Sequence, residues 1–216
     1  KFKGVCILAD SFCSKEANMN YGSIKYYDIA NGEGVRTSLF VSGCTHHCKE
    51  CFNPETWAFD YGKVFDETAE KEILDSFKHD YVNGLTLLGG EPMEPANQKA
   101  LLPFVKKFKE LYPNKTIWCY SGYLIDDLLG VGRLPMENGN TTFYQDLVDR
   151  AHCDWTEELL SYIDVLVDGE FMLPLKDITL RFKGSKNQRV IDVKETLKRK
   201  IVVLSPFNEK KQASFK

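Results

Sequence analysis

Apolar residues fall in short runs separated by longer amphipathic stretches, and the alternation repeats along most of the chain. Thr37 to Val41 is β-branched and apolar. Gly84-Leu85-Thr86-Leu87-Leu88, Thr116-Ile117-Trp118-Cys119-Tyr120, Ile163-Asp164-Val165-Leu166-Val167 and Ile201 to Leu204 read the same way, and each predicts a strand. Tyr21 to Ile29 predicts a short strand ahead of them. Between the strands the spacing becomes helical. Asp66 can cap a helix with Glu67 and Glu70 in its first turn and Ile73, Leu74, Phe77 and Tyr81 as its inward stripe. Leu101, Phe104, Val105, Phe108 and Leu111 mark a second helix, which Pro103 could kink or restart. Shorter helices are expected at Ile125 to Leu129 and Glu157 to Tyr162, and Val190 to Lys198 fits strand and helix equally.

Continuous apolar strands alternating with helices predict an α/β fold with a mainly parallel sheet covered by helices. At 216 residues the chain fits one domain. We place that domain at 19–204, with 131–156, punctuated by Gly, Asn and Pro, as an inserted loop and 205–216 as a polar tail. Residues 1–18 read as an N-terminal extension or a leftover ahead of a natural start at Met19.

Composition changes this picture little. The chain is 43% apolar and 27% charged, as soluble globular proteins are. A net charge of −3, with Lys198-Arg199-Lys200 the one short basic block, argues against a nucleic-acid partner. No apolar run approaches the ~20 residues of a membrane span. Asp10 cuts off the apolar piece Val5 to Ala9, so no signal peptide is expected. Seven cysteines are an odd number, and three sit in one motif, which fits metal ligation in a reducing cytosol better than a disulfide framework.

That motif is Cys44-x3-Cys48-x2-Cys51, directly after the strand ending at Val41. A short turn cannot point three side chains into one interior, but it can bring three thiolates to one metal centre, and thiolates favour zinc or an iron–sulfur cluster. Four ligands would close either site, and three leave one position open. His46 or His47 could complete a closed Cys3His zinc site, although both lie inside the tight Cys44–Cys48 loop. Gly89-Gly90-Glu91-Pro92 follows a second strand. Its glycines let a ligand approach the backbone, and Glu91 could accept from a cationic amino group. Ser121-Gly122-Tyr123 follows a third. Sites in parallel sheets gather at the C-terminal strand ends, so the three motifs are expected on one rim.

Cys44-x3-Cys48-x2-Cys51 followed by Gly89-Gly90-Glu91-Pro92 is similar to the radical S-adenosylmethionine (SAM) superfamily. Further segments resemble its glycyl-radical-enzyme activases, specifically the family that activates anaerobic ribonucleotide reductase. They are Asp28 to Arg36, Phe40 to Cys44, Asn53 to Trp57, Trp118 to Tyr123, Asp164 to Gly169 and Gly184 to Arg189. The resemblance implies a partial, open (β/α) barrel of the radical SAM type. It implies a 4Fe–4S cluster on Cys44, Cys48 and Cys51 whose unique iron binds the amino and carboxylate groups of SAM. An electron from flavodoxin or a similar carrier would cleave SAM, and the resulting radical would abstract hydrogen from a glycine of the reductase. Glu50, Cys51 and Phe52 would contact SAM, Gly89, Gly90 and Glu91 would hold its methionine end, and Ser121 would reach the ribose. No catalytic side chain is implied beyond the cluster and SAM.

Asn31, Gly32 and Arg36 either shape the mouth that receives the glycine loop or form a structural turn. Cys119 reads as a core thiol, and Asp168 and Glu170 either as a polar feature of the rim or, the more common case, as solvated loop carboxylates. Two departures from the family stand out: Glu50 where the superfamily often has an aromatic residue, with Phe52 following, and Glu33 where the activases carry proline. The alternatives are a radical SAM enzyme acting on a small molecule, such as a deazaguanine synthase, and a zinc-stabilised interaction module.

Overall fold

The computed structural model describes residues 19–137, 139 and 151–208. The expectations for residues 1–18, for residues 138 and 140–150 of the inserted loop and for the tail past 208 lie outside the described residues. Among those described, seven strands form one sheet: β1 (Asn20–Asp28), β2 (Val35–Val41), β3 (Lys63–Val64), β4 (Val82–Gly89), β5 (Thr116–Tyr120), β6 (Val165–Asp168) and β7 (Arg189–Asp192). Their spatial order is β3-β1-β2-β4-β5-β6-β7. The helices are α1 (Glu67–Ser76), α2 (Pro95–Leu111), α3 (Ile125–Leu128), α4 (Thr156–Tyr162) and α5 (Val193–Arg199).

The expected parallel pairing holds in the middle, where β2, β4, β5 and β6 run side by side. Both edges depart from it, because β1 and β7 pair antiparallel with their neighbours. Between β1 and β2 only residues 29–34 intervene, too few for the crossover a parallel pair needs.

Strand alternation splits the sheet into two chemically different faces. Leu39, Val41, Leu85, Leu87, Ile117, Cys119, Leu166 and Ile191 join Ile73, Phe104, Val105 and Phe108 of α1 and α2 in the main core. Cys119 is thus the core thiol it was read to be. The other face carries Arg36, Ser38, Phe40, Thr86, Leu88, Trp118, Tyr120, Val165, Val167 and Val190, and Phe182 and Phe207 pack on part of it. Arg36 is buried there. It donates to Thr86 Oγ1 (2.7 Å), Leu85 O (2.7 Å) and Thr116 O (2.9 Å), so it ties β2, β4 and β5 together.

Several boundaries need correction. The N–H of Phe77 bonds back to Leu74 O and ends α1, so Tyr81 is not on the inward stripe but in the following turn, 55% exposed. Leu111 closes α2 with its side chain exposed, and α2 runs straight through Pro103 on its exposed side. Val190 to Lys198 divides into β7 and α5 at Asp192, whose carboxylate caps the helix by accepting from Glu195 N at 3.0 Å. Ile201 to Leu204 forms no strand. Val202 gives its backbone bonds to Pro135 and Glu137, while Val203 and Ser205 bond to β7, and neither ladder extends.

Asp168 also departs from its expected solvated state. It is buried, accepts from Ile125 N (2.9 Å), and takes Arg189 Nε (2.9 Å) and Nη2 (2.5 Å). Arg189 Nη2 reaches Asp126 Oδ2 as well, at 3.0 Å. Burial opposes the guanidinium charge, but the two carboxylates outweigh it and raise the pKa above its ordinary value.

Candidate functional site

The cysteine loop begins where β2 ends, and backbone bonds fix its origin. Gly43 N donates to Thr56 O (2.8 Å), Cys44 N to Trp57 O (3.0 Å) and Glu91 N to Gly43 O (2.8 Å), while Gly90 N donates to Val41 O (2.8 Å). Asn97 Nδ2 adds bonds to Ser42 O and Glu91 O from the buried face of α2. Gly90 permits this contact: a Cβ there would stand 2.6 Å from Gly43 O and 2.9 Å from Thr56 O, both backbone atoms. Gly90→Ala is therefore expected to cost about 1–3 kcal/mol and to shift the cysteine loop. Gly132→Ala, with open space around it, is the control that should leave a thermal melt unchanged.

Past Cys44 the chain turns twice through left-handed backbone, at His47 (φ 52°) and Glu50 (φ 58°). The turns bring Cys44, Cys48 and Cys51 to a cavity of about 580 Å³ that Phe52, Gly89, Gly90, Glu91, Ser121 and Gly122 also line. The three expected strand-end motifs do share one rim. The thiols share the cavity without closing on a single point among the described residues. Burial, with Glu91 adding to it, pushes the Cys44 thiol up to about 12; burial and then Glu170 push Cys48 to about 11. Holding both as thiolates at neutral pH requires a cation.

The loop histidines are not aimed at that cation. His46 Nδ1 lies 2.7 Å from Glu170 Oε1, and Nε2 lies 3.2 Å from Glu91 Oε2, an ion pair whose alignment falls short of a hydrogen bond. Burial opposes protonation, but the two carboxylates overcome it and lift His46 to about 9. The His47 ring packs 4.7 Å from that of Trp57. Glu170 is therefore a partner of the loop and no free rim carboxylate. Three thiols, with His46 held by two carboxylates and His47 packed on Trp57, suit a cluster with one open position better than a closed Cys3His zinc site.

The remaining predicted contacts are placed as follows. Glu91 is buried, its Oε1 accepting from Met93 N (2.8 Å) and its Oε2 from Gly122 N (2.6 Å), so the carboxylate braces the rim. Phe52 is 62% exposed, with its ring 5.0 Å from that of Phe171. Ser121 Oγ accepts from Tyr123 N at 3.1 Å. Asn31 lines the cavity, whereas Gly32 is buried against Arg36 and Trp118, the structural-turn alternative for that pair. Sequence reasoning missed the His46–Glu170 pair, 124 positions apart, and the cavity-lining Tyr120, Lys25 and Lys183. Strand alternation alone could have found Tyr120.

Residues 30–191 match the family described as a 4Fe-4S single cluster domain. A protein of Haemophilus influenzae is 41% identical over 174 residues, covering 79% of this chain and 96% of its own. One from Escherichia coli K12 is 34% identical, covering 80% and 97%, and one from Enterobacteria phage T4 is 33% identical, covering 80% and 93%. All three carry the name anaerobic ribonucleoside-triphosphate reductase-activating protein.

Proposed function

This chain belongs to the family of anaerobic ribonucleoside-triphosphate reductase-activating proteins, and from that premise we propose that Cys44, Cys48 and Cys51 are the ligands of its 4Fe–4S cluster. It is a radical SAM activase, with the cluster and SAM as cofactors and the reductase as its substrate. When bound, the cluster and SAM together supply the radical that takes a hydrogen atom from a glycine of the reductase, leaving a glycyl radical there.

The chain's own residues hold and orient. The backbone of Gly89 and Gly90 receives the methionine end, and Glu91 supports it by fixing the Gly122 amide and the His46 ring. Glu50, Cys51 and Phe52 contact SAM, with Ser121 at the ribose; Cys51, Phe52 and Ser121 line the cavity, whereas Glu50 is exposed and is not among its lining residues. Orientation decides the outcome, because a primary alkyl radical attacks the nearest C–H bond. The parallel core with its helical core on one face and a cavity reached from the other supports reading residues 19–204 as one domain, a partial, open (β/α) barrel of the radical SAM type. Flavodoxin or a similar carrier is the electron donor in this reading, and the cytoplasm is the compartment. No described helix is long and apolar enough to cross a membrane.

The observation that carries the assignment is the donor set: three thiols lining the same cavity as Gly89 and Gly90, with His46 held by Glu170 and Glu91. Anaerobic reconstitution tests it. About four irons and four sulfides per chain are expected, whereas stoichiometric zinc without sulfide would contradict it.

A further inference from the structure

One row of side chains runs from strand to strand: register pairs Phe40 with Leu88, sets Leu88 level with Tyr120, and pairs Tyr120 with Val167 and Val167 with Val190. Phe40, Leu88 and Tyr120 line the cavity, three strands that span about 10 Å at roughly 4.8 Å spacing, or about three extended residues, whereas Val167 and Val190 are fully buried against Phe182 and Phe207. Its polar groups are few and placed at the centre and the ends. In the centre the Tyr120 hydroxyl is buried, lines the cavity, and has no hydrogen-bond partner among the described residues. At one end the Lys25 ammonium stands 4.6 Å from the Phe40 ring centroid. At the other, half-buried Lys183 donates to Asn208 O (3.2 Å) and Oδ1 (3.0 Å), and that Oδ1 also accepts from Val190 N. Both lysines line the cavity, and neither forms an ion pair among the described residues.

A buried hydroxyl without a partner costs free energy unless a ligand completes it. Two ammonium groups without a carboxylate partner among the described residues disfavour the sulfonium of SAM and favour oxygen acceptors. An extended polypeptide supplies those: inside a cavity its backbone carbonyls lose water and need donors. We propose that the cavity-lining part of this row, Phe40, Leu88 and Tyr120, is the seat of the glycine-bearing segment of the reductase, with Tyr120 donating to a backbone carbonyl of that segment and Lys183 to an acceptor oxygen at one end. The inference rests on the activase reading. It adds to it which residues set the position of the glycine.

The test uses the reconstituted full chain, Tyr120→Phe and Lys183→Met variants, and a synthetic peptide spanning the glycine-bearing segment of the cognate reductase. Each variant is expected to bind the peptide about tenfold more weakly and to raise the KM for the reductase by a similar factor, with SAM affinity as in the wild type. Tyr120→Phe, which keeps the ring and deletes only an unpartnered oxygen, should melt no lower than the wild type. Unchanged peptide affinity in both variants overturns the proposal. So does lost SAM affinity with peptide binding intact, which would assign the donors to SAM. A wild-type protein that fails to bind the peptide also overturns it, whereas one that binds peptide but raises no glycyl radical counts against the activase reading instead.

Discussion

Replacing Cys48 with alanine should reduce reductive SAM cleavage to background, and Cys44→Ala and Cys51→Ala should do the same. Each thiol is one of three donors lining the cavity, and of the loop histidines His46 is held by Glu91 and Glu170 while His47 packs on Trp57. Two thiolates leave a cluster short of the anchors that fix its open iron. Iron content after anaerobic reconstitution and 5′-deoxyadenosine by chromatography give two independent readouts. Cys153→Ala is the matched control. Its sulfur lies 3.4 Å from Gln98 Oε1 and 3.4 Å from Thr156 Oγ1, away from the rim, so both readouts should stay at wild-type level. Full 5′-deoxyadenosine formation by any of the three loop variants would contradict the ligand assignment.

Arg189→Met should be the most destabilising single change away from the cysteines. The guanidinium is the shared partner of Asp126 and Asp168, whose side chains are 1% and 0% exposed. Its removal leaves two buried carboxylates facing each other, a loss on the order of 3–5 kcal/mol. For a domain of this size that lowers Tm by roughly 10 °C. The defect reaches the site, because Asp168 ends β6 and the next residues are Gly169, which lines the cavity, and Glu170, which holds His46. Adding Asp126→Asn and Asp168→Asn to Arg189→Met should recover part of the loss by removing the uncompensated charge. An Arg189→Met melt within 2 °C of the wild type, well under the roughly 10 °C expected, would show that the triad contributes little.

The strand-end rim was legible because local pattern determines it. Apolar runs set the strands, and a parallel sheet places the residues after each strand on one edge. The cysteine spacing then narrowed the chemistry to zinc or an iron–sulfur cluster, and the resemblance to the radical SAM activases chose between them. What escaped the sequence depends on long-range geometry. Asp168 and Glu170 look like ordinary loop carboxylates until Arg189 and His46 arrive from 21 and 124 positions away. Ile201 to Leu204 has a strand's composition, yet its backbone splits between Pro135–Glu137 and β7. Glu91 was read as a free acceptor for a ligand amino group. What the sequence could not show is that it also joins the cysteine loop to the turn after β5, because Met93 N and Gly122 N converge on it.

The measurement closest to the central claim combines the reduced, reconstituted protein, SAM and a cognate anaerobic reductase, followed by electron paramagnetic resonance. The account predicts a glycyl radical signal on the reductase, matched in amount by 5′-deoxyadenosine and absent when the reductase glycine is replaced by alanine. SAM cleavage at full rate with no radical on the reductase, or conversion of a small molecule without any reductase, would contradict it.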